Sequence, residues 1–108
     1  MNIQKIDETK AWFEVLQTGG RSQTAMMTLE PGEATGEKAE AHEKSDQVLL
    51  MLDGELRGEV GGDRPELRKG DVIIIPAGVK HRFVNRGDKN ATTFNVYSPP
   101  AYPAGTKG

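Results

Sequence analysis

The chain has 108 residues, 35% of them hydrophobic, with 14 basic residues against 16 acidic ones and no cysteine. This length suits one small domain with a modest core, and the lack of cysteine excludes disulfides, thiolate nucleophiles and sulfur-ligated metal sites. The net charge of −2, with both signs mixed along the chain, gives no electrostatic case for nucleic acid or an anionic membrane as a partner.

The start of the chain does not resemble a signal peptide, and no apolar run approaches the length of a membrane span. The sequence therefore predicts a cytoplasmic protein without membrane or nucleic-acid partners.

Short strand-like runs separated by turn residues make up most of the chain. The runs are 12–16, 24–30, 47–52, 55–60, 66–69, 71–75, 80–85 and 92–97. Asp53-Gly54 is a strong two-residue hairpin signal, and the turn-rich segments 61–63 and 86–90 predict further hairpins. Strands at this spacing, with little helix, predict an all-β sandwich or barrel such as a jelly roll.

Two of these runs are apolar at successive positions. Residues 72–75 are valine and isoleucine, which predicts a strand buried on both faces. In the run 47–52, one row of alternate residues must face away from the interior of a small barrel. This row (Val48, Leu50 and Leu52) needs a second sheet, a partner subunit or the C-terminal arm to cover it.

The last residues, 98–108, are rich in proline and glycine, which predicts an extended arm on a single domain spanning 1–108. We predict a homodimer with a largely apolar interface that includes Tyr102. The alternative is an arm that folds back on its own barrel and hides the same apolar row.

The segment 70–85 carries the most informative pattern, G-x5-P-x-G-x2-H-x3-N. Its fixed positions are Gly70, Pro76, Gly78, His81 and Asn85. This pattern resembles the second conserved motif of the cupin superfamily at every position. The resemblance implies a cupin jelly-roll barrel, also called a double-stranded β-helix, with a site in its mouth. Because strand side chains alternate, His81 and Phe83 are expected to share the inward face.

A second segment, 40–54, reads E-x-H-x4-Q-x6-G. It resembles the first cupin motif, G-x5-H-x-H-x3,4-E-x6-G, with Glu40 and Gln47 replacing two of its three usual ligands. A rival register starts at Gly36 and makes His42 the first histidine. That register places Lys44 at the second position, where an ammonium group has no lone pair for a metal.

In the preferred register, the resemblance implies that Glu40, His42, Gln47 and His81 are metal ligands. Two imidazoles, one carboxylate and an amide oxygen resemble a 2-His-1-carboxylate site with a weak fourth donor, and suit Fe(II), Mn, Co, Ni or Zn. The predicted function is a divalent-metal-binding cupin that binds or acts on a small polar molecule, with oxygenase- or isomerase-like chemistry. The alternative is a non-catalytic binding module whose metal site has degenerated. No catalytic residue is assigned.

Residues 37–44 also suit a solvated helical turn, in which Glu40 and Lys44 would pair at i,i+4. On a helix, Glu40 and His42 would lie about 200° apart and could not share a metal. A helix of this length is marginal without other support. Trp12 and Phe13 are predicted to cover one end of the barrel.

Overall fold

The computed structural model describes residues 1–8 and 11–108, and in these it has eight strands and one 3-10 turn, Ile6–Glu8. Each predicted strand is present within two residues of its predicted bounds. The strands are β1 Phe13–Thr18, β2 Gln23–Leu29, β3 Asp46–Asp53, β4 Glu55–Val60, β5 Glu66–Arg68, β6 Val72–Ile75, β7 His81–Val84 and β8 Ala91–Ser98. Within the described residues, no helix is long and apolar enough to cross a membrane.

The strands form two antiparallel sheets. One has five strands in the order β1-β2-β8-β3-β6, and the other has three in the order β5-β4-β7. Alternate side chains of both sheets are buried in a shared apolar core, which includes Leu29, Leu49, Met51, Leu56 and Phe83. The all-β jelly-roll prediction is confirmed.

Two of the predicted hairpins are wrong, because their turns carry the chain from one sheet to the other. β3 pairs with β6 and β8, whereas β4 pairs with β5 and β7, so Asp53-Gly54 is a crossover. The segment 86–90 likewise joins β7 of the small sheet to β8 of the large one. The turn at 61–63 does make the predicted hairpin, since β4 and β5 pair. A turn signal is local and does not report which strand will be the partner.

The segment 32–42 lies along the free side of β7 and extends the small sheet. Backbone bridges join Ala34 to Val84 and Glu40 to His81. Residues 37–44 form no helix, so the helical-turn interpretation is wrong. Because Glu40 and His81 exchange two backbone hydrogen bonds of 3.1 and 2.8 Å, their side chains lie on the same face.

The C-terminal arm packs back on its own barrel. The buried side chain of Gln23 accepts hydrogen bonds from the backbone N–H groups of Ala101 and Tyr102, and donates to the carbonyl of Tyr102 at 2.8 Å. Further along, the N–H of Val15 donates to the carbonyl of Thr106 at 2.8 Å. The arm therefore continues the large sheet beyond β1.

The outward side of the large sheet keeps an apolar surface. Val72 and Ile74 are 60% and 64% exposed, so the prediction that β6 is buried on both faces is wrong. The reason is that β6 is the edge strand of its sheet, and the arm packs at the opposite edge. Val72 and Ile74 pair with the half-buried Leu50 and Val48, giving an outer apolar patch of Val48, Leu50, Val72 and Ile74.

The homodimer remains a prediction, and we expect this outer apolar patch to carry it. Tyr102 packs its ring on its own chain's Phe13, with centroids 4.8 Å apart, and its place in the interface also remains a prediction. We expect wild-type protein to sediment at twice the 11.8 kDa of one chain, and Ile74→Lys to sediment as a monomer. The control Ile3→Lys alters a residue that is 78% exposed outside the patch, and should stay dimeric. Wild-type protein at the mass of one chain at micromolar concentration would contradict the prediction.

Candidate functional site

A cavity of about 470 Å³ is lined by both sheets, the segment 35–42 and the C-terminal arm. All four predicted site residues, Glu40, His42, Gln47 and His81, line it. This volume lies within the range of pockets that bind small molecules. The candidate residues of the two sequence patterns therefore line one cavity.

The two histidines lie side by side in this cavity, with ring centroids 5.2 Å apart. His81 begins β7, and His42 follows the bridge between Glu40 and His81. The carbonyl of His42 accepts a hydrogen bond of 2.8 Å from the N–H of Gly78, which ties it to the turn before β7. Gly78 of the 70–85 pattern thus fixes the backbone of His42 next to β7.

The tautomer of His81 follows from its hydrogen bond. Its Nδ1 lies 3.0 Å from the carbonyl oxygen of Val79. A carbonyl oxygen can only accept, so Nδ1 carries a proton, and in the neutral ring Nε2 is the nitrogen with the lone pair. A backbone carbonyl on one ring nitrogen is the usual way in which a protein orients a metal-binding histidine.

His42 is held in its neutral form. Burial lowers the pKa of His42, and the nearby His81 lowers it further. A neutral imidazole has a lone pair available to a metal ion or to a ligand's hydrogen-bond donor.

Acidification of metal-free protein is therefore expected to reduce its stability. The unfolded chain takes up a proton at His42 near pH 6.5, whereas the folded chain does so only at lower pH. The unfolded state then binds more protons, so the free energy of unfolding falls as the pH falls from about 6.5 to the folded pKa. Thermal melts in EDTA between pH 7.5 and 5.5 measure this, with His42→Asn as the comparison. An equal pH dependence in the variant would contradict the assignment to His42.

Gln47, which lines the cavity, has a buried acceptor oxygen. Its residue is 5% exposed, its Nε2 donates to Asn95 Oδ1 at 3.0 Å, and Asn95 Nδ2 donates to Thr93 Oγ1 at 2.9 Å. Gln47 Oε1 is the one buried side-chain nitrogen or oxygen in the described residues that lacks a hydrogen-bond partner. A buried polar atom without a partner costs about 1–3 kcal/mol, so a ligand that satisfies it gains affinity.

Glu40 lies at the rim and not in the interior. Its residue is exposed, it lines the cavity, and its negative charge raises the pKa of Tyr102. Across the described residues, no three histidine, aspartate or glutamate side chains are grouped closely enough to hold one ion. Glu40, His42, Gln47 and His81 as metal ligands therefore remain a prediction.

Two tyrosines in the cavity were not predicted as site residues. Burial raises the pKa of Tyr97, and the charge of Tyr102 and a hydrogen bond with it raise this pKa further. Burial also raises the pKa of Tyr102, and the hydrogen bond with Tyr97 partly offsets this. Both hydroxyls therefore stay protonated at neutral pH, and because they are hydrogen-bonded to each other, one of the two protons is left for a ligand. The signal for Tyr97 was its period-two position in β8, where Thr93, Asn95 and Tyr97 alternate as buried residues. No local signal identified Tyr102, because the path of the arm places it.

The paired sheets and the histidines in the cavity agree with a comparison against known families, in which the cupin domain matches residues 25–97. The chain belongs to the cupin family. The match includes both sequence patterns and the candidate ligands.

Alignments with similar proteins cover nearly the whole chain. This cupin is 29% identical to YrkC of Bacillus subtilis over 113 aligned residues, which cover 98% of this chain and 60% of the relative. The crystal structure of BH2720 from Bacillus halodurans has a TM-score of 0.87 at 29% identity, covering 94% of this chain and 80% of that one. That of TT1209 from Thermus thermophilus has a TM-score of 0.81 at 27% identity, covering 92% and 98%. The chain thus spans about 60% of the length of its curated Bacillus relative.

Proposed function

We propose that this cupin binds a divalent transition metal ion with His42, His81 and Gln47, and holds a small polar molecule beside it. The observation that carries the proposal is the partnerless Oε1 of Gln47, a residue that lines the same cavity as two closely placed imidazoles. Imidazole and amide oxygen suit several divalent ions, including Fe(II), Mn, Co, Ni and Zn.

A bound ion would supply Lewis-acid polarisation to an oxygen of the ligand. The residues of the chain supply the rest. The hydrogen-bonded pair of Tyr97 and Tyr102 donates one hydrogen bond to a ligand oxygen, and Glu40 at the rim accepts a proton or a hydrogen bond from the ligand. These roles suit oxygenase- or isomerase-like chemistry on a small polar molecule.

A second candidate is a non-catalytic cupin that binds its ligand without metal. The observation that favours it is the absence, within the described residues, of any cluster of three ionisable ligand side chains. In that case the two imidazoles, Gln47 and the tyrosines would act together as hydrogen-bonding groups.

Calorimetric titration of EDTA-treated protein with Co(II) and Zn(II) tests the proposal. We expect one ion per chain. Removing a group outside the ligand shell costs roughly 10–100-fold in metal affinity, and His42→Ala and His81→Ala should each weaken metal binding by more than this. Glu40→Gln should weaken binding if its carboxylate is a ligand, whereas the matched control Glu43→Gln, at an exposed residue outside the cavity lining, should not. Binding that both histidine variants retain would reject the site. No binding to wild-type protein would favour the metal-free candidate.

A further inference from the structure

The rings of this chain are gathered at one place. The sequence has one tryptophan, two tyrosines, three phenylalanines and two histidines, and all of these except Phe94 line the cavity. The ring-bearing residues that line it are Trp12, Phe13, His42, His81, Phe83, Tyr97 and Tyr102. A chain with only 6% aromatic residues thus places five of its six aromatic side chains around one small space.

These rings form a continuous series. Successive centroids are 4.8 to 6.1 Å apart along the path Trp12, Phe13, Tyr102, His42, His81 and Phe83. Tyr97 joins the series edge-on, 5.0 Å from His42 and 5.2 Å from Tyr102. Such spacing is typical of interacting aromatic pairs, so a flat ring in the cavity would meet the same geometry.

Core packing accounts for only part of this series. Phe13, Phe83 and Tyr97 are 7%, 1% and 3% exposed and belong to the barrel core. Trp12 is 45% exposed, and Tyr102 and both histidines are half-buried, so these rings keep surface that faces the cavity or solvent. An exposed tryptophan at the rim adds little to a core, whereas it suits contact with a ligand.

The cavity also offers directional polar groups. Gln47 Oε1 is a buried acceptor without a partner. The hydroxyls of Tyr97 and Tyr102 are hydrogen-bonded to each other, which leaves one of their protons for a ligand. A hydroxyl group on a ring both donates and accepts, so it can satisfy one group of each kind.

We infer that the ligand is a small aromatic alcohol of the phenol class, whose ring packs against Tyr102 and Trp12 and whose hydroxyl donates to Gln47 Oε1 and accepts from the hydroxyl pair of Tyr97 and Tyr102. This inference rests on the proposed function of the cavity as a small-molecule site. It does not depend on the metal.

Phenol and cyclohexanol form the test pair, since each has one hydroxyl on a six-membered ring and only phenol is flat and aromatic. Amide NMR titration of the EDTA-treated 108-residue chain gives both dissociation constants and locates the site. We expect phenol to bind about 5-fold more tightly or better, from one or two ring contacts, with the largest shifts at Tyr102 and His42. Equal affinities, or phenol shifts away from the cavity, would overturn the inference.

Two variants separate ring contacts from general apolar contact. Trp12→Leu and Tyr102→Leu should each weaken phenol binding about 2- to 10-fold while leaving cyclohexanol nearly unchanged. Phe94→Leu is the matched control, because Phe94 is the one ring outside the cavity, and it should alter neither ligand. Trp12 is exposed at the rim, so its variant remains informative if Tyr102→Leu unfolds. Unchanged phenol binding in Trp12→Leu and in every folded Tyr102 variant would also overturn the inference.

The phenol titrations and the metal titrations can fail independently, so the aromatic ligand and the proposed metal site are tested separately. A cupin that binds Co(II) through its histidines but does not prefer phenol keeps the metal site and loses the aromatic ligand. A cupin that prefers phenol in EDTA but binds no metal keeps the aromatic ligand and supports the metal-free candidate.

Discussion

Replacing Gly54 by alanine is expected to destabilise the fold by about 3 kcal/mol or more, because two separate penalties fall on one residue. Gly54 has a φ of +73°, in the left-handed region that other residues adopt only with strain. A Cβ there would clash with the carbonyl oxygen of Asn90 and lie 2.8 Å from the Cα of Ala91. Both are backbone atoms at the start of β8, so neither can rotate away. Urea unfolding measures the loss.

Two other glycines separate these penalties. Gly70 has a φ of +92° and open space within 4 Å of the point that a Cβ would occupy, so Gly70→Ala should show the backbone strain alone, about 1–2 kcal/mol. Gly62 has neither a positive φ nor a close neighbour, and Gly62→Ala should stay within about 0.5 kcal/mol of wild type. Equal losses at Gly54 and Gly70 would show that the barrel accommodates the extra methyl group, contrary to the prediction.

The strands could be predicted because their signals are local. Alternating apolar residues and turn residues lie within a few positions of each other, and the predicted run 55–60 coincides with β4 Glu55–Val60. Which strands pair is a property of the whole chain. Asp53-Gly54 has the composition of a hairpin turn, yet Gly54 packs against Asn90 and Ala91 at the point where the chain changes sheets.

The exposure of the outer side of β6 could likewise not be predicted from the local sequence. A run of valine and isoleucine predicts a strand, but whether its outer side is covered depends on where the strand lies in its sheet. β6 is at the edge, and Val72 and Ile74 are exposed while Ile75 is 1% exposed in the core. The sequence indicated an apolar outer row on β3, and the structure extends it onto β6.

The candidate site was predictable where a motif fixed it. The 70–85 and 40–54 patterns each gave a histidine, and the structure places the two rings next to each other. Tyr102 was not predictable, because the hydrogen bonds that place the arm join Gln23 to a backbone 79 residues away. The polar side chain of Asn95, which holds Gln47, is likewise recognisable only once β3 and β8 are known to pair.

Gln47→Glu is expected to bind metal more tightly and to be less stable without it. A carboxylate at this position adds a charged ligand beside His42 and His81, and each tenfold gain in affinity adds about 1.4 kcal/mol of stability at saturating metal. Without metal, the buried carboxylate faces Asn95 Oδ1, which loses its donor from Gln47 Nε2.

The measurement is the difference in melting temperature between Co(II) and EDTA for three proteins. We expect this difference to be largest for Gln47→Glu, intermediate for wild type and smallest for Gln47→Leu, which keeps the side-chain volume but removes the oxygen. Gln47→Glu should also melt below wild type in EDTA, because desolvation of the charge is then uncompensated. Gln47→Leu also leaves Asn95 Oδ1 without its donor, which lowers its melting temperature in Co(II) and in EDTA alike. The test is therefore the order of the metal-induced differences among the three proteins, not their sizes. If the metal-induced differences are equal in all three proteins, Gln47 does not contact the ion. Its free oxygen would then serve the organic ligand alone.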